Sequence, residues 1–288
     1  MSAMLYECHG HALMDGADFR AARDRHRQGV DLPAVRACLA KLQGAGVGYV
    51  RDGGDNLGVS LAAREIAGEY GITYRSPAFA IHKKGRYGGI VGRAWSDLRE
   101  ARTLIAEAKA AGADFIKLML SGVITFINYG ELSCPSLAPE EIAALSEIAH
   151  GEGFAVMAHV NGADAVKAAV DAGIDSIEHG YFLDDACLRA MADAGTFWVP
   201  TVAATHAFIG RQGFDEAVSR RTVETQLAMV RNAAELGVSV AAGSDSGAVG
   251  VPHGAGTETE YRLLRAAGVT ETRLETANRA LAARFVRP

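Results

Sequence analysis

The chain has 288 residues, 49% of them hydrophobic and 22% charged, with a formal net charge of -5. That balance excludes gross disorder, and a pI near 6.0 excludes the electrostatic footprint of a protein that binds nucleic acid or acidic membranes. Four scattered cysteines, Cys8, Cys38, Cys134 and Cys187, form no CxxC pair, which argues against a disulfide framework or a cysteine zinc knuckle.

The opening residues lack the basic start and apolar core of a signal peptide, and no window is long and apolar enough to span a bilayer. The expectation is a cytoplasmic protein with a small-molecule substrate and neither nucleic acid nor membrane as partner. No proline-rich linker or low-complexity tract divides the chain, so residues 1–288 are read as one domain.

The first strand is expected over residues 4–13 and carries Glu7-Cys8-His9-Gly10-His11. Residues two apart on a strand face the same side, so His9 and His11 can reach one ion. A helix follows over 32–45, with Asp31 as its N-cap, Pro33 in the first turn and Gly46 as its stop. The second strand, 47–52, ends in Arg51-Asp52, read either as substrate contacts or as a structural ion pair at the rim. A helix over 59–70 leads to a third strand over 74–81, reaching His82. The loop 83–92 is basic and rich in glycine, and is either a clamp for a substrate carboxylate or a solvated loop.

A helix over 96–111 stops at Gly112. The fourth strand, 114–120, is a short apolar run of the kind buried on both faces, with Lys117 set into its middle. The loop 121–137 holds Tyr129, either a substrate contact or an ordinary loop tyrosine, and a helix over 139–152 follows. Two further apolar runs, 154–158 and 174–177, reach His159 and His179 near their C-terminal ends. Between them an alanine-rich helix, 162–172, is closed by Gly173, so both histidines fall at the same end of neighbouring parallel strands. A helix over 184–194, a strand over 197–201 and a helix over 215–236 precede the last strand, 238–243. That strand delivers Ser244-Asp245-Ser246-Gly247, and helices over 256–267 and 270–284 complete the chain.

Strands alternating with helices predict an α/β fold, and the length is close to the roughly 250 residues of a (β/α)8 TIM barrel. A doubly wound open sheet is the alternative, but it would spread the polar residues at the strand ends along a whole edge.

Buried alone, the Lys117 ammonium would lose its solvation, and burial drives such a group toward the neutral amine. A neutral amine can take up CO2 to form a carbamate, an anion with two oxygens that neighbouring cations stabilise. Two divalent ions fit the pattern. One is held by His9, His11 and Asp245, the other by His159 and His179, and carbamylated Lys117 joins them. Imidazole and carboxylate ligands suit zinc. A water shared by two such ions would be largely hydroxide at neutral pH, with Asp245 as the general base.

These residues carry a resemblance to the amidohydrolase superfamily. His9-Gly10-His11 resembles its HxH strand, and Lys117 in Phe-Ile-Lys-Leu-Met its strand lysine. His159, His179 and Asp245 in Gly-Ser-Asp resemble its remaining ligands. Ser-Ile-Glu-His-Gly180, Val-Pro-Thr201 and Pro-His-Gly254 are similar to the imidazolonepropionase-like and prolidase-like branch. The resemblance implies a carbamylated lysine, two zinc ions, and substrates such as dipeptides and N-acyl amino acids. It also makes His253, His82 and Tyr129 substrate-binding candidates. Relatives usually carry a small β-sandwich flanking the barrel. Here the first strand begins almost at Met1 and the sequence stops after the last helix, so a barrel without that sandwich is expected, with self-association across the bare flank.

The expected function is therefore a binuclear metal-dependent hydrolase of amide bonds in a dipeptide, N-acyl amino acid or cyclic amide. The alternatives are a lactonase or phosphotriesterase with the same metals, and a catalytically silent metal-binding barrel.

Overall fold

The computed structural model describes residues 4–287. β1 (Leu5–Gly10), β2 (Val47–Asp52) and β3 (Thr73–Arg75) form a parallel three-stranded sheet in that order. β4 (Ala80–Lys83), β5 (Gly92–Trp95), β6 (Ile116–Met119), β7 (Val156–Val160), β8 (Ser176–His179) and β9 (Phe197–Val199) form a second parallel sheet, in the order β5-β4-β6-β7-β8-β9. The helices are α1 (Phe19–Arg25), α2 (Leu32–Gly44), α3 (Val59–Ile66), α4 (Leu98–Ala110), α5 (Pro139–Gly151) and α6 (Ala163–Asp171). They continue with α7 (Asp185–Ala194), α8 (Val202–His206), α9 (Glu216–Leu236), α10 (Ala255–Ala266) and α11 (Glu271–Arg284).

Most expected elements form, and the exceptions have local causes. The third strand breaks between β3 and β4, at Ser76-Pro77-Ala78-Phe79. Pro77 has no N–H to offer a ladder, and Ala78 takes a left-handed φ of 66°. Residues 238–246 form no regular strand. They make single parallel bridges instead, Val240 with Trp198 of β9 and Ser246 with Gly10 of β1. Backbone hydrogen bonds from Ala241 N to Trp198 O (2.9 Å) and from Cys8 N to Ala242 O (2.8 Å) hold this segment between the two sheets.

Three short elements were not expected. Only Ala22 of α1 is buried, so its sequence shows no apolar stripe, and Asp18 caps its start. α8 spans five residues, too short to show a period. β5 lies just past the glycine-rich loop and pairs with β4.

β6 and β7 are buried along their whole length, as their unbroken apolar runs require. Ile105 of α4, Ile142 of α5, Val166 of α6 and Leu188 of α7 pack onto the outer side of this sheet, each fully buried. Each such side chain contributes roughly 1.5–3 kcal/mol. A separate cluster joins Cys8, Tyr49, Phe115, Met157 and Val199 to Leu281 and Phe285, so α11 and the residue after it close off one end of the strands. Among the described residues no helix is long and apolar enough to cross a membrane.

Candidate metal centre

The parallel register levels the C-terminal ends of the central strands: Met119 pairs with His159, and Val160 with His179. Consequently His9 on β1, His11 just beyond it, Lys117 on β6, His159 on β7, His179 on β8 and Asp245 all line one cavity of about 200 Å³. Asp245 Oδ1 lies 3.3 Å from His11 Nε2 and 3.7 Å from His9 Nε2. One ligand atom from each of these three residues falls within 4.8 Å of the others. The His179 ring centroid is 4.5 Å from that of His159 and 4.9 Å from that of His9, so these imidazoles form one contiguous group.

Backbone strain marks the same place. His179, Thr201 and Asp245 take φ values of 67°, 48° and 62°, a region that side-chain-bearing residues rarely occupy. Such turns at strand ends persist where surrounding contacts over-determine them. Gly53 and Gly243 are required beside them, because a Cβ on either would overlap His11 or His9.

The hydrogen bonds orient the imidazoles. His9 Nδ1 is 2.6 Å from Glu178 Oε2, and Glu178 Oε1 accepts from Arg51 Nη2 (2.7 Å) and Ser176 Oγ (2.6 Å). His179 Nδ1 is 2.7 Å from Thr201 Oγ1. Both rings therefore keep Nε2 free as a ligand atom, the arrangement by which outer partners fix metal-binding histidines. His159 Nε2 faces the Gly122 carbonyl at 3.2 Å.

Burial, aided by Lys117, pushes the His9 imidazole down to about 4 and that of His159 to about 3. Burial and the neighbouring His159 and His9 hold His179 well below its usual range. These rings are neutral at pH 7, the form in which they bind metals. Burial opposes the Asp245 charge, yet the hydrogen bond from His11 and the adjacent imidazoles keep its carboxyl below the usual carboxylate range. Lys117 is pushed down to about 8 by burial, against the pull of Glu178 and Asp245. Among the described residues its buried Nζ has no hydrogen-bond partner, nor has His11 Nδ1. An ammonium left so would be costly, so the environment fits a lysine converted to an anion between cations.

Residues 33–283 match the Amidohydrolase family model. The chain belongs to the amidohydrolase family. An uncharacterised protein of Mycobacterium tuberculosis is 33% identical over 156 residues, which cover 52% of this amidohydrolase and 41% of that protein. Ochratoxinase of Aspergillus niger is 27% identical over 197 residues, 65% of this chain and 38% of that enzyme. The chain thus spans about two fifths of the length of the curated relatives it matches. The crystal structure of A. niger ochratoxinase is similar with a TM-score of 0.78 at 22% identity, over 99% of this chain and 71% of that one. A Xaa-Pro dipeptidase with bound methionine gives 0.75 at 21%, over 95% and 73%. At these identities the likeness shows a shared fold.

In this amidohydrolase the three residues expected to bind substrate stand away from the cavity lining. His253 is buried with Nε2 3.1 Å from the His11 carbonyl. His82 lies behind Gly88, its Nδ1 near the Lys83 carbonyl. Tyr129 turns toward α9, its hydroxyl donating to Thr225 Oγ1 at 3.1 Å, with Arg221 over its ring. Arg51 and Asp52 do not pair with each other. Arg51 is bound to Glu178, whereas Asp52 accepts from Ala12 N and Tyr74.

Several contributors escaped the sequence reading. Glu178 was visible as a lone acid in an apolar strand, beside the more conspicuous His179. Glu7 accepts from Ser244 N (2.7 Å), Ser244 Oγ (2.5 Å) and Thr257 Oγ1 (2.5 Å), and so ties β1 to the segment bearing Asp245. Thr201 stood out only as the end of Val-Pro-Thr, and its role was hidden because its partner is 22 residues away.

Proposed function

We propose that this chain is a binuclear metal-dependent hydrolase of amide bonds. Its strands are read as one (β/α)8 barrel, a single domain in which residues 238–246 take the eighth place between β9 and β1. The observation that carries the reading is a buried lysine with no hydrogen-bond partner among the described residues, lining one cavity with four imidazoles and an ionised aspartate. His9, His11 and Asp245 would hold one ion and His159 and His179 the other, with Lys117 as a carbamate between them. The donor set suits zinc.

Zinc ions bound there would polarise the substrate carbonyl and make a held water acidic enough to attack near neutral pH. The Asp245 carboxylate accepts a proton from the attacking water and returns it to the departing nitrogen as the C–N bond breaks. Glu178 and Thr201 keep the His9 and His179 rings turned for ligation throughout. The family membership and the dipeptidase among the structural relatives favour an amide as the bond cleaved, in a dipeptide, N-acyl amino acid or cyclic amide.

Metal content by mass spectrometry and turnover on an amide panel, measured together for two variants, test this reading. Lys117→Ala is expected to lose metal and activity together, and full metal retention would overturn the carbamate. Asp245→Asn is expected to lower turnover by about 10²–10⁴-fold while the circular dichroism spectrum is unchanged. Undiminished turnover would remove Asp245 as the base.

A further inference from the structure

Above its polar floor the cavity is walled by apolar side chains, among them Phe19, Tyr87, Ile90, Ile124, Phe126 and Phe208. Phe126 and Phe208 stack with centroids 4.3 Å apart and planes at 19°, and Phe214 stands edge-on to Phe208 at 4.7 Å. Lys117 is the one lysine or arginine among the lining residues, and it sits in the floor. The cations of the basic loop do not reach the cavity, and Lys83 is paired with Glu141. Arg211 and Arg20 stand against the rings of Phe208 and Phe19, at 5.9 and 5.5 Å, and likewise do not line it. Of the wall hydroxyls, Tyr181 is committed to Thr201 and Thr205 to the Val202 carbonyl, which leaves that of Tyr87 as the one without a hydrogen bond among the described residues.

A carboxylate among these walls would shed its water and gain no counter-charge and at most the single Tyr87 hydroxyl as a donor. An aromatic or branched aliphatic group would lose nothing on entry and would gain ring contacts. We propose that the cavity selects uncharged substrates, with the amide carbonyl at the floor, an aromatic or aliphatic group against Phe126 and Phe208, and no free carboxylate. The proposal rests on the hydrolase reading for the bond that is cleaved, and it narrows the substrate class. Dipeptides and N-acyl amino acids carry a carboxylate, whereas aryl amides and neutral cyclic amides do not.

Two matched pairs test it by isothermal titration calorimetry on the zinc-loaded protein: N-acetylphenylalanine against its uncharged carboxamide, and para-acetamidobenzoate against para-methylacetanilide. The neutral member of each pair is expected to bind about tenfold more tightly or better. Equal or tighter binding of the anions overturns the proposal. A folded Phe208→Arg variant, which places a cation in the wall, is expected to close most of that gap, and an unchanged gap counts against the wall as its origin. Product formation is followed in the same solutions by chromatography. A preference for the neutral members with no hydrolysis of any compound would remove the hydrolase reading and leave the selectivity standing.

Discussion

At the scale of single residues, Glu178 does the least visible and most consequential work. It is wholly buried, yet Arg51 and His9 bind its two oxygens. Burial alone would raise its pKa, but Arg51 and His9 overcome that and lower it from 4.5 to about 2. A carboxyl with a depressed folded-state pKa contributes stability that is complete above its unfolded pKa and is lost as pH falls through the folded one. Replacing it leaves the Arg51 guanidinium buried without its counter-charge, so Glu178→Gln is expected to destabilise the protein by about 3 kcal/mol at neutral pH. The gap to wild type should shrink between pH 4.5 and about 2, where the native side chain also becomes neutral. Urea unfolding across that range reads the difference, and a gap that stays constant with pH would rule out the ionic role. The six metal-competent side chains were legible because each is a polar residue in or at the end of an apolar strand. The outward partners were not, since Arg51 and Glu178 are 127 residues apart and neither neighbourhood betrays the other.

At the scale of elements, helix boundaries followed their caps closely. Asp31, Asp97, Asp184, Asp215 and Thr270 each accept from a backbone N–H in the first turn of the helix they precede. Asp97 replaces Ser96 as the start of α4, because it is the Asp97 side chain that accepts from Glu100 N, at 2.8 Å. Asp97→Ala is expected to cost about 1 kcal/mol in thermal or urea unfolding and to leave metal content unchanged. Metal loss in that variant would mean that α4 bears on the centre more directly than its exposed cap indicates. Strand boundaries were less legible. The strand expected over 74–81 runs through Pro77, a local breaker that goes unheeded there, whereas the irregular course of residues 238–246 has no such sign, because a run such as Val-Ser-Val-Ala-Ala has the composition of a strand whether or not its neighbours pair with it fully.

At the scale of the whole molecule, the centre depends on bringing the first strand against the last segment, and Asn278 of α11 secures that junction. Its Oδ1 accepts from Ala242 N (2.8 Å) and its Nδ2 donates to the Tyr261 hydroxyl (2.9 Å). Asn278→Ala strands the buried Ala242 N–H three residues before Asp245, and is expected to cost about 1–3 kcal/mol and to weaken metal retention against a chelator. Unchanged retention would show that Asp245 is held independently of α11. The sequence by itself determined the parallel alternation of strands and helices, the identity of the polar side chains that gather at one end, and the family, since periodicity and polar residues in apolar strands are local signals. Only the tertiary structure decided which ring nitrogens stay free, that Lys117 has no partner, and that the surrounding walls are aromatic. Those properties arise where residues distant in the chain meet, and packing at such meetings leaves no pattern in the order of the amino acids.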